Sequence, residues 1–567
     1  LEVKEMSSRK RVVSGLAKLS LAVLGSVFAS VGYATVVEYR SFDGSGNNMA
    51  NPDWGSTGSQ LLRLGSATYS DGTSTPRLSV GGGDLPSTRA VSNAVVAQSQ
   101  PVPNAKGVSD MLMQWGQFID HDIDLSVVDH HDSMPIAVET ADSTFGTVHA
   151  DDGMPFSRSV YTDGVGTPRQ QVNAITAYID ASQIYGSSEA KADSLRVMNS
   201  DGSRSWKLEM TYTVNGGMLD VDSAGMFISG DVRANEQVGL TSMHTLFNRE
   251  HNRLGAEIAA AHPEYDDETV YQETRKLVGA MMQAITFNEF LPALLGGGAP
   301  GSYTGYKTTV NAGIANEFST AAYRFGHSTL SPTLLRLDEN GQMIGAGHLA
   351  LEQAFFNPYL LMNPVNGGIE PILRGLISQP GQEVDPFLVD AVRNMLFPPP
   401  VDVGFDLAAL NMQRGRDHGL PSYNQMRAAM GLMPYSSWAD AVFMDGVKDL
   451  LMSIYTDIND IDLWIGGLAE NHVNGGMLGE LFSAIVGDQF SRLRDGDRFW
   501  YQNGMFETEW MEFIEGSTLS AIIMRNTGIT GLQANVFFVP EPGVLLLLSI
   551  GIAGMGIRRR SSWRCAA

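Results

Sequence analysis

The sequence predicts a mainly α fold built around one large core. Long segments repeat their apolar residues at helical spacing, and strand-like alternation is rare and short. Of 567 residues, 43% are hydrophobic and 18% charged, which suits a folded globular chain rather than a disordered one. Against 38 Lys and Arg stand 62 Asp and Glu, a net charge of −24. So acidic a chain is a poor partner for nucleic acid or anionic lipid, which ask for clustered Lys and Arg. The one cysteine, Cys565, excludes an intrachain disulfide and a thiolate metal site.

Residues 1–34 read as a secretory signal: Arg9, Lys10 and Arg11, then the mostly apolar Leu16–Val27, with Ala29 or Ala34 before the cut. Residues 35–535 are expected to form one domain. Its first part, residues 35–107, is rich in Gly, Ser, Asn and Pro and reads as an irregular arm. Val108–Asp124 is a predicted amphipathic helix, with Val108, Met111, Leu112, Trp115, Phe118 and Ile119 on the buried stripe. Gln117, Asp120, His121 and Asp124 share the opposite side. Asp122 falls inside the apolar stripe, so it needs a cation or several donors.

Further helices are predicted over Asn235–Ala261, Glu268–Leu295, Ile314–Leu330, Pro386–Leu396 and Leu420–Met430, and a strand over Trp206–Val214. Asn235 reads as the N-cap of its helix, which places Arg233 just before it and Glu236 in its first turn. The extended stretch Thr176–Ser182 puts Thr176, Tyr178, Asp180 and Ser182 on one side. With Asp122 they make an all-oxygen set suited to Ca²⁺, although the loop alone is no better than a polar turn. His244, His251 and His418 read as structural, and His130 and His131 as loop residues.

The last segment, residues 536–567, is tripartite. Val539-Pro540-Glu541-Pro542 leads into the uncharged Gly543–Ile557 and then Arg558-Arg559-Arg560. The apolar run is shorter than the roughly 20 residues of a free-standing span. The pattern resembles the PEP-CTERM sorting signal of Gram-negative bacteria. That resemblance implies an exosortase-type processing enzyme as a partner, membrane contact only through the tail, and export to the cell surface, outer membrane or medium.

Five motifs in order, WGQFIDHDID at Trp115–Asp124, TAYIDAS at Thr176–Ser182, GDVRANEQ at Gly230–Gln237, AAYRFGH at Ala321–His327 and LNMQRGRDHG at Leu410–Gly419, resemble the animal-type haem peroxidases. The resemblance implies the helical fold of that family around a haem. It implies His121 as the distal acid–base, with Arg233 and Gln117 stabilising charge, and Asp120 and Glu236 as carboxylates ester-linked to the haem. His327 becomes the axial iron ligand, with Gly326 leaving room for the macrocycle. Asn411 accepts the N–H of His327, and Arg324 and Arg414 lie with the cofactor. Calcium would bridge Asp122 to the Thr176–Ser182 loop.

The implied activity is oxidation of halides, thiocyanate or phenolic donors by hydrogen peroxide through a ferryl haem. Gln237 stands where myeloperoxidase has a methionine bonded to haem. Two other readings remain: a fatty-acid dioxygenase of the same superfamily, which generally lacks the two ester carboxylates, and a matrix or adhesion protein without turnover.

Overall fold

Helix α1, Asp110–Ile123, buries the stripe its spacing predicts: Met111, Leu112, Trp115, Phe118 and Ile119 are at most 1% exposed. The Trp115 ring lies 5.9, 5.8 and 6.2 Å from those of Phe118, Phe247 and Phe537. Its indole N–H donates to Thr286 Oγ1 at 3.3 Å. Truncating so enclosed a Trp costs about 3–5 kcal/mol. The helix that carries the polar face is therefore firmly anchored by its opposite side. These features come from a computed structural model that describes residues 38–162, 166–211, 216–397 and 404–540. The expected signal at 1–34, the run 543–560 and Cys565 lie outside the described residues.

Helix α2, Val238–Ala261, packs against α1 and against α3, Asp267–Ile285. Asp266 caps α3 by accepting the Thr269 N–H at 2.8 Å. One π turn, Thr286–Phe290, carries α3 on into Leu291–Leu295. Asp267–Leu295 is long and apolar enough to cross a membrane, but its apolar window is 83% buried and forms the centre of the core.

The helix expected over Ile314–Leu330 is broken. Helix α4 spans only Asn316–Thr320; Ala321 then leaves helical geometry (φ −134°, ψ −67°), and Ala322–His327 winds as a 3₁₀ turn. Distant and local ties hold this path. The Glu317 carboxylate accepts the N–H groups of Leu64 and Gly65 at 3.0 Å each, and Arg324 Nε donates to the Ser319 carbonyl at 3.0 Å.

Helix α5, Glu370–Ser378, packs on α1 and α2, while α6, Leu407–Asp417, and α7, Glu480–Asp495, complete the frame around the 3₁₀ segment and α4. The expected Pro386–Leu396 helix shrinks to Asp390–Arg393, and Leu420–Met430 to Tyr423–Ala429, opened by a Ser422/Gln425 capping box. Where Trp206–Val214 was expected as a strand, Arg204–Leu208 pairs with Arg196–Met198 and Met210–Thr211 with Met218–Leu219, both antiparallel; residues 212–214 lie outside the described residues. Every sheet among the described residues has two strands.

The arm before α1 is irregular except for Thr88–Val91 and the π turn Ser92–Val96. At the other end the packed chain continues beyond residue 535. Val536 and Phe537 are fully buried. The Ser109 N–H donates to the Phe537 carbonyl at 2.9 Å and the Val539 N–H to that of Gly107 at 2.8 Å.

Candidate functional site

The polar face of α1 meets the Gly230–Gln237 loop. His121 is buried, with Nδ1 3.7 Å from Asp231 Oδ1 and Nε2 3.8 Å from Glu236 Oε2. Burial first, and then Arg233, hold its pKa well below the ordinary histidine value, so the ring is a neutral base. Asp231 grips Arg233 with both oxygens, from Nε and Nη2 at 2.9 Å each. Arg233 Nη2 also donates to the Asp124 carbonyl at 2.8 Å, and Nη1 lies 3.5 Å from Asp120 Oδ2.

The Asp120 and Glu236 side chains remain 29% and 33% exposed, yet burial pushes each carboxyl up to about 7. Both carboxyls are thus desolvated although part of each side chain stays accessible. Gln117 Nε2 donates to Glu236 Oε2 at 3.0 Å. The other end of that amide accepts from Gln237 Nε2 at 3.1 Å. Gln237, not Asn235, caps α2: its Oε1 accepts the Gly239 N–H at 2.6 Å. Glu236 therefore precedes the helix rather than sitting in its first turn. Asn235 instead closes on Phe227, accepting its N–H at 2.9 Å and donating to its carbonyl at 2.8 Å.

The 3₁₀ segment supplies the opposite histidine. His327 Nδ1 lies 2.8 Å from the Asn411 side-chain nitrogen, and Arg324 Nη1 donates to Asn411 Oδ1 at 3.2 Å. Turning the Asn411 amide over would let Oδ1 accept an Nδ1–H and leave Nε2 free as a metal ligand. Burial, then Arg324, lower the His327 pKa to about 3, so this ring is neutral too. Arg324 forms no ion pair among the described residues, yet Asp120 feels both Arg233 and Arg324. Arg414 donates through Nη1 to the Ser157 carbonyl, Ser159 Oγ and Asp417 Oδ2 at 2.9, 3.0 and 2.9 Å. Burial brings its pKa down to about 10.

These residues fit a haem. A Cβ placed on Gly326 would find a single neighbour, Met113 Cγ, at 4.0 Å, so the backbone beside His327 faces open space. Arg324 feels the charges of Asp120 and Asp124 but makes no direct ion pair among the described residues, so its guanidinium could take a propionate.

The oxygen-rich loop packs on the far side of α1. Asp122 is fully buried and accepts the N–H groups of Asp180 and Ala181 at 3.1 Å and of Ser182 at 2.5 Å. Ser182 Oγ donates to the Asp122 carbonyl at 2.8 Å and Thr176 Oγ1 to Asp180 Oδ2 at 3.1 Å. The Tyr178 hydroxyl donates to the Trp54 carbonyl at 2.7 Å, which leaves its backbone carbonyl as the oxygen it could offer a cation. Burial raises both Asp122 and Asp180 above the usual carboxylate range; Asp180 adds to the rise of Asp122, while Arg40 and Arg275 moderate that of Asp180. A hard divalent cation would relieve that pairing, but the described residues hold no cluster of three or more His, Cys, Asp and Glu. Its ligands would be mainly hydroxyl and carbonyl oxygens.

His244, His251 and His418 each make local contacts. His244 Nδ1 meets Ser229 Oγ at 2.8 Å, His251 bridges Tyr185 and the Trp206 carbonyl, and His418 bridges Asn316 and Ser159. Asp124 and Asp231 were given no role by sequence reasoning. The position of Asp231 two residues before Arg233 is the only signal that marks it.

The animal haem peroxidase family model matches residues 39–537. The chain belongs to that family. Among similar animal haem peroxidases, peroxinectin A of Dictyostelium discoideum is 35% identical over 92% of this chain and 99% of its own length. Peroxidasin of Drosophila melanogaster is 37% identical over 86% of this chain. The chain spans only 35% of that peroxidasin and 42% of a Caenorhabditis elegans homologue. The solved peroxidase A of D. discoideum superposes with a TM-score of 0.80 at 34% identity, covering 88% of this chain and 99% of that one. A fatty acid alpha-dioxygenase of Oryza sativa shares the fold, with a TM-score of 0.72 at 22% identity over 88% of this chain and 87% of that one. Residues 538–560 match the PEP-CTERM protein-sorting motif, which marks export and exosortase-type processing.

Proposed function

We propose that the protein is an exported haem peroxidase that uses hydrogen peroxide to oxidise halides, thiocyanate or phenolic donors at the cell surface, outer membrane or outside a Gram-negative cell. The observation that supports this reading is a buried neutral His121 beside Arg233, together with a second neutral histidine, His327, that meets Asn411 next to the open backbone of Gly326. His327 would hold the iron, Arg324 and Arg414 the propionates, and Asp120 and Glu236 the ring edges through ester bonds. The haem, when bound, supplies the two-electron redox chemistry of peroxide cleavage. His121 Nε2 accepts a proton from the inner peroxide oxygen and returns it to the outer one, so that water leaves. Arg233 and Gln117 donate toward the charge that develops. The Asp122 loop would hold Ca²⁺.

A dye-oxidation assay on haem-loaded protein tests this. Wild type should turn over only with peroxide, and His121→Ala should lose at least about 100-fold. Absence of peroxide-dependent turnover in the loaded wild type, or an oxygenated product from linoleate, would overturn the reading; the second result would favour the dioxygenase alternative.

A further inference from the structure

The buried carboxylate of Asp231 touches both members of the distal pair. Its side chain is 2% exposed. Oδ1 accepts the backbone N–H of Arg233 at 2.8 Å and Nε at 2.9 Å, Oδ2 accepts Nη2 at 2.9 Å, and Oδ1 also faces His121 Nδ1 at 3.7 Å. That Nδ1 is buried and has no hydrogen-bond partner. Although burial alone would raise it, Asp231 is held below the usual carboxylate range by the charge and hydrogen bonds of Arg233. It is therefore an anion within reach of both groups.

The backbone that carries Asp231 has little freedom. Its N–H donates to the Gln183 carbonyl at 3.0 Å. A Cβ on Gly230 would lie 2.4 Å from the Ser182 carbonyl oxygen and 2.5 Å from the Gly186 nitrogen, so only glycine permits this approach. Gln183 is tied in turn to α1, its Nε2 donating to the Phe118 carbonyl at 3.1 Å. The carboxylate is thus fixed relative to the helix that bears His121.

We propose that Asp231 is the positioning residue of the distal pair: it locks the Arg233 fork and takes the Nδ1 edge of His121, leaving Nε2 as the edge presented to peroxide. This rests on the peroxidase reading above. A carboxylate behind a histidine selects the tautomer and ring orientation, and loss of such a partner typically costs 10–100-fold.

The test uses haem-loaded full-length protein and cyanide, whose binding as HCN requires proton transfer to the distal base but no turnover. Asp231→Asn should slow cyanide association and the bimolecular peroxide reaction by about 10–100-fold, with haem content, Soret position and thermal midpoint unchanged. On a His121→Ala, Arg233→Gln background the same change should alter cyanide association by less than about twofold, because nothing remains to be positioned. In ¹⁵N-labelled wild type bound to cyanide, the His121 Nδ1–H should exchange slowly with solvent, a readout that does not depend on any variant folding. Wild-type rates in Asp231→Asn, an undiminished loss in the substituted background, or fast exchange of that proton would each overturn the role. An inactive wild type would instead overturn the peroxidase reading, which the cyanide arm keeps distinct.

Discussion

Asp122→Ala separates the two ways in which that carboxylate can be satisfied. In the fold it accepts three backbone N–H groups, from Asp180, Ala181 and Ser182. Removing the acceptor strands the Asp180 and Ala181 donors, each worth about 1–3 kcal/mol when buried and unmet, while the Ser182 N–H keeps Asp180 Oδ1 at 3.1 Å. Relief of the repulsion from Asp180 and entry of water offset part of this, so a net loss of about 2–4 kcal/mol is expected. If Ca²⁺ also binds here, wild type at a 1,000-fold excess over Kd gains about 4 kcal/mol from the metal. Denaturant unfolding with and without EGTA, with metal analysis, reads both quantities. Wild type should lose stability on chelation, while Asp122→Ala starts lower and no longer responds to EGTA. A folded wild type that contains no calcium and ignores EGTA refutes the cation, and the three donors then suffice by themselves.

Three further outcomes are expected. Haem should resist acid–ketone extraction from wild type after exposure to peroxide and become extractable from Asp120→Ala, Glu236→Ala; complete extraction from wild type would rule out ester links. In the haem-free protein both carboxyls titrate near 7 rather than near 4, so the folded state holds more protons between those values. Stability should then fall as pH rises from about 4 to 7 and level off above, with a flatter profile in Asp120→Asn, Glu236→Gln. Bromide, iodide and thiocyanate should be oxidised well and chloride poorly, because Gln237 cannot form the sulfonium link of myeloperoxidase. Gln237→Met should also cost about 1 kcal/mol through loss of the α2 cap, and wild-type chloride turnover equal to bromide turnover would refute the halide argument.

Where a local rule governed, the sequence was readable. The stripe of α1 is strictly periodic and its burial follows. Where two local rules competed, position in the fold decided. Asn235 and Gln237 can both cap a helix, but Phe227 engages both ends of the Asn235 amide, which leaves the cap to Gln237. Ile314–Leu330 has helical spacing throughout, yet its path depends on Leu64 and Gly65, some 250 residues away in the chain. Helix α6 escaped notice because it is buried around polar groups: Asn411 and Asp417 are fully covered, so no apolar stripe marks it.

The site shows the same division. The resemblance of single motifs to the animal haem peroxidases marked His121, Arg233, Glu236, His327 and Asn411, but several links between motifs run through backbone groups that side-chain patterns do not encode. The carbonyl of Gln183 accepts both the Asp231 N–H and Ser229 Oγ at 3.0 Å, its side chain grips α1 at Phe118, and its neighbour Ser182 donates to Asp122. Stretches near residues 122, 182 and 231 are therefore tied together by hydrogen bonds. A perturbation at Asp122 has a path of three hydrogen-bonded residues to Arg233 and His121, so loss of calcium or of that carboxylate should broaden the haem spectrum as well as lower stability. Haem spectra that stay unchanged while stability falls would mean that the loop is a staple for the fold and no part of the distal pocket.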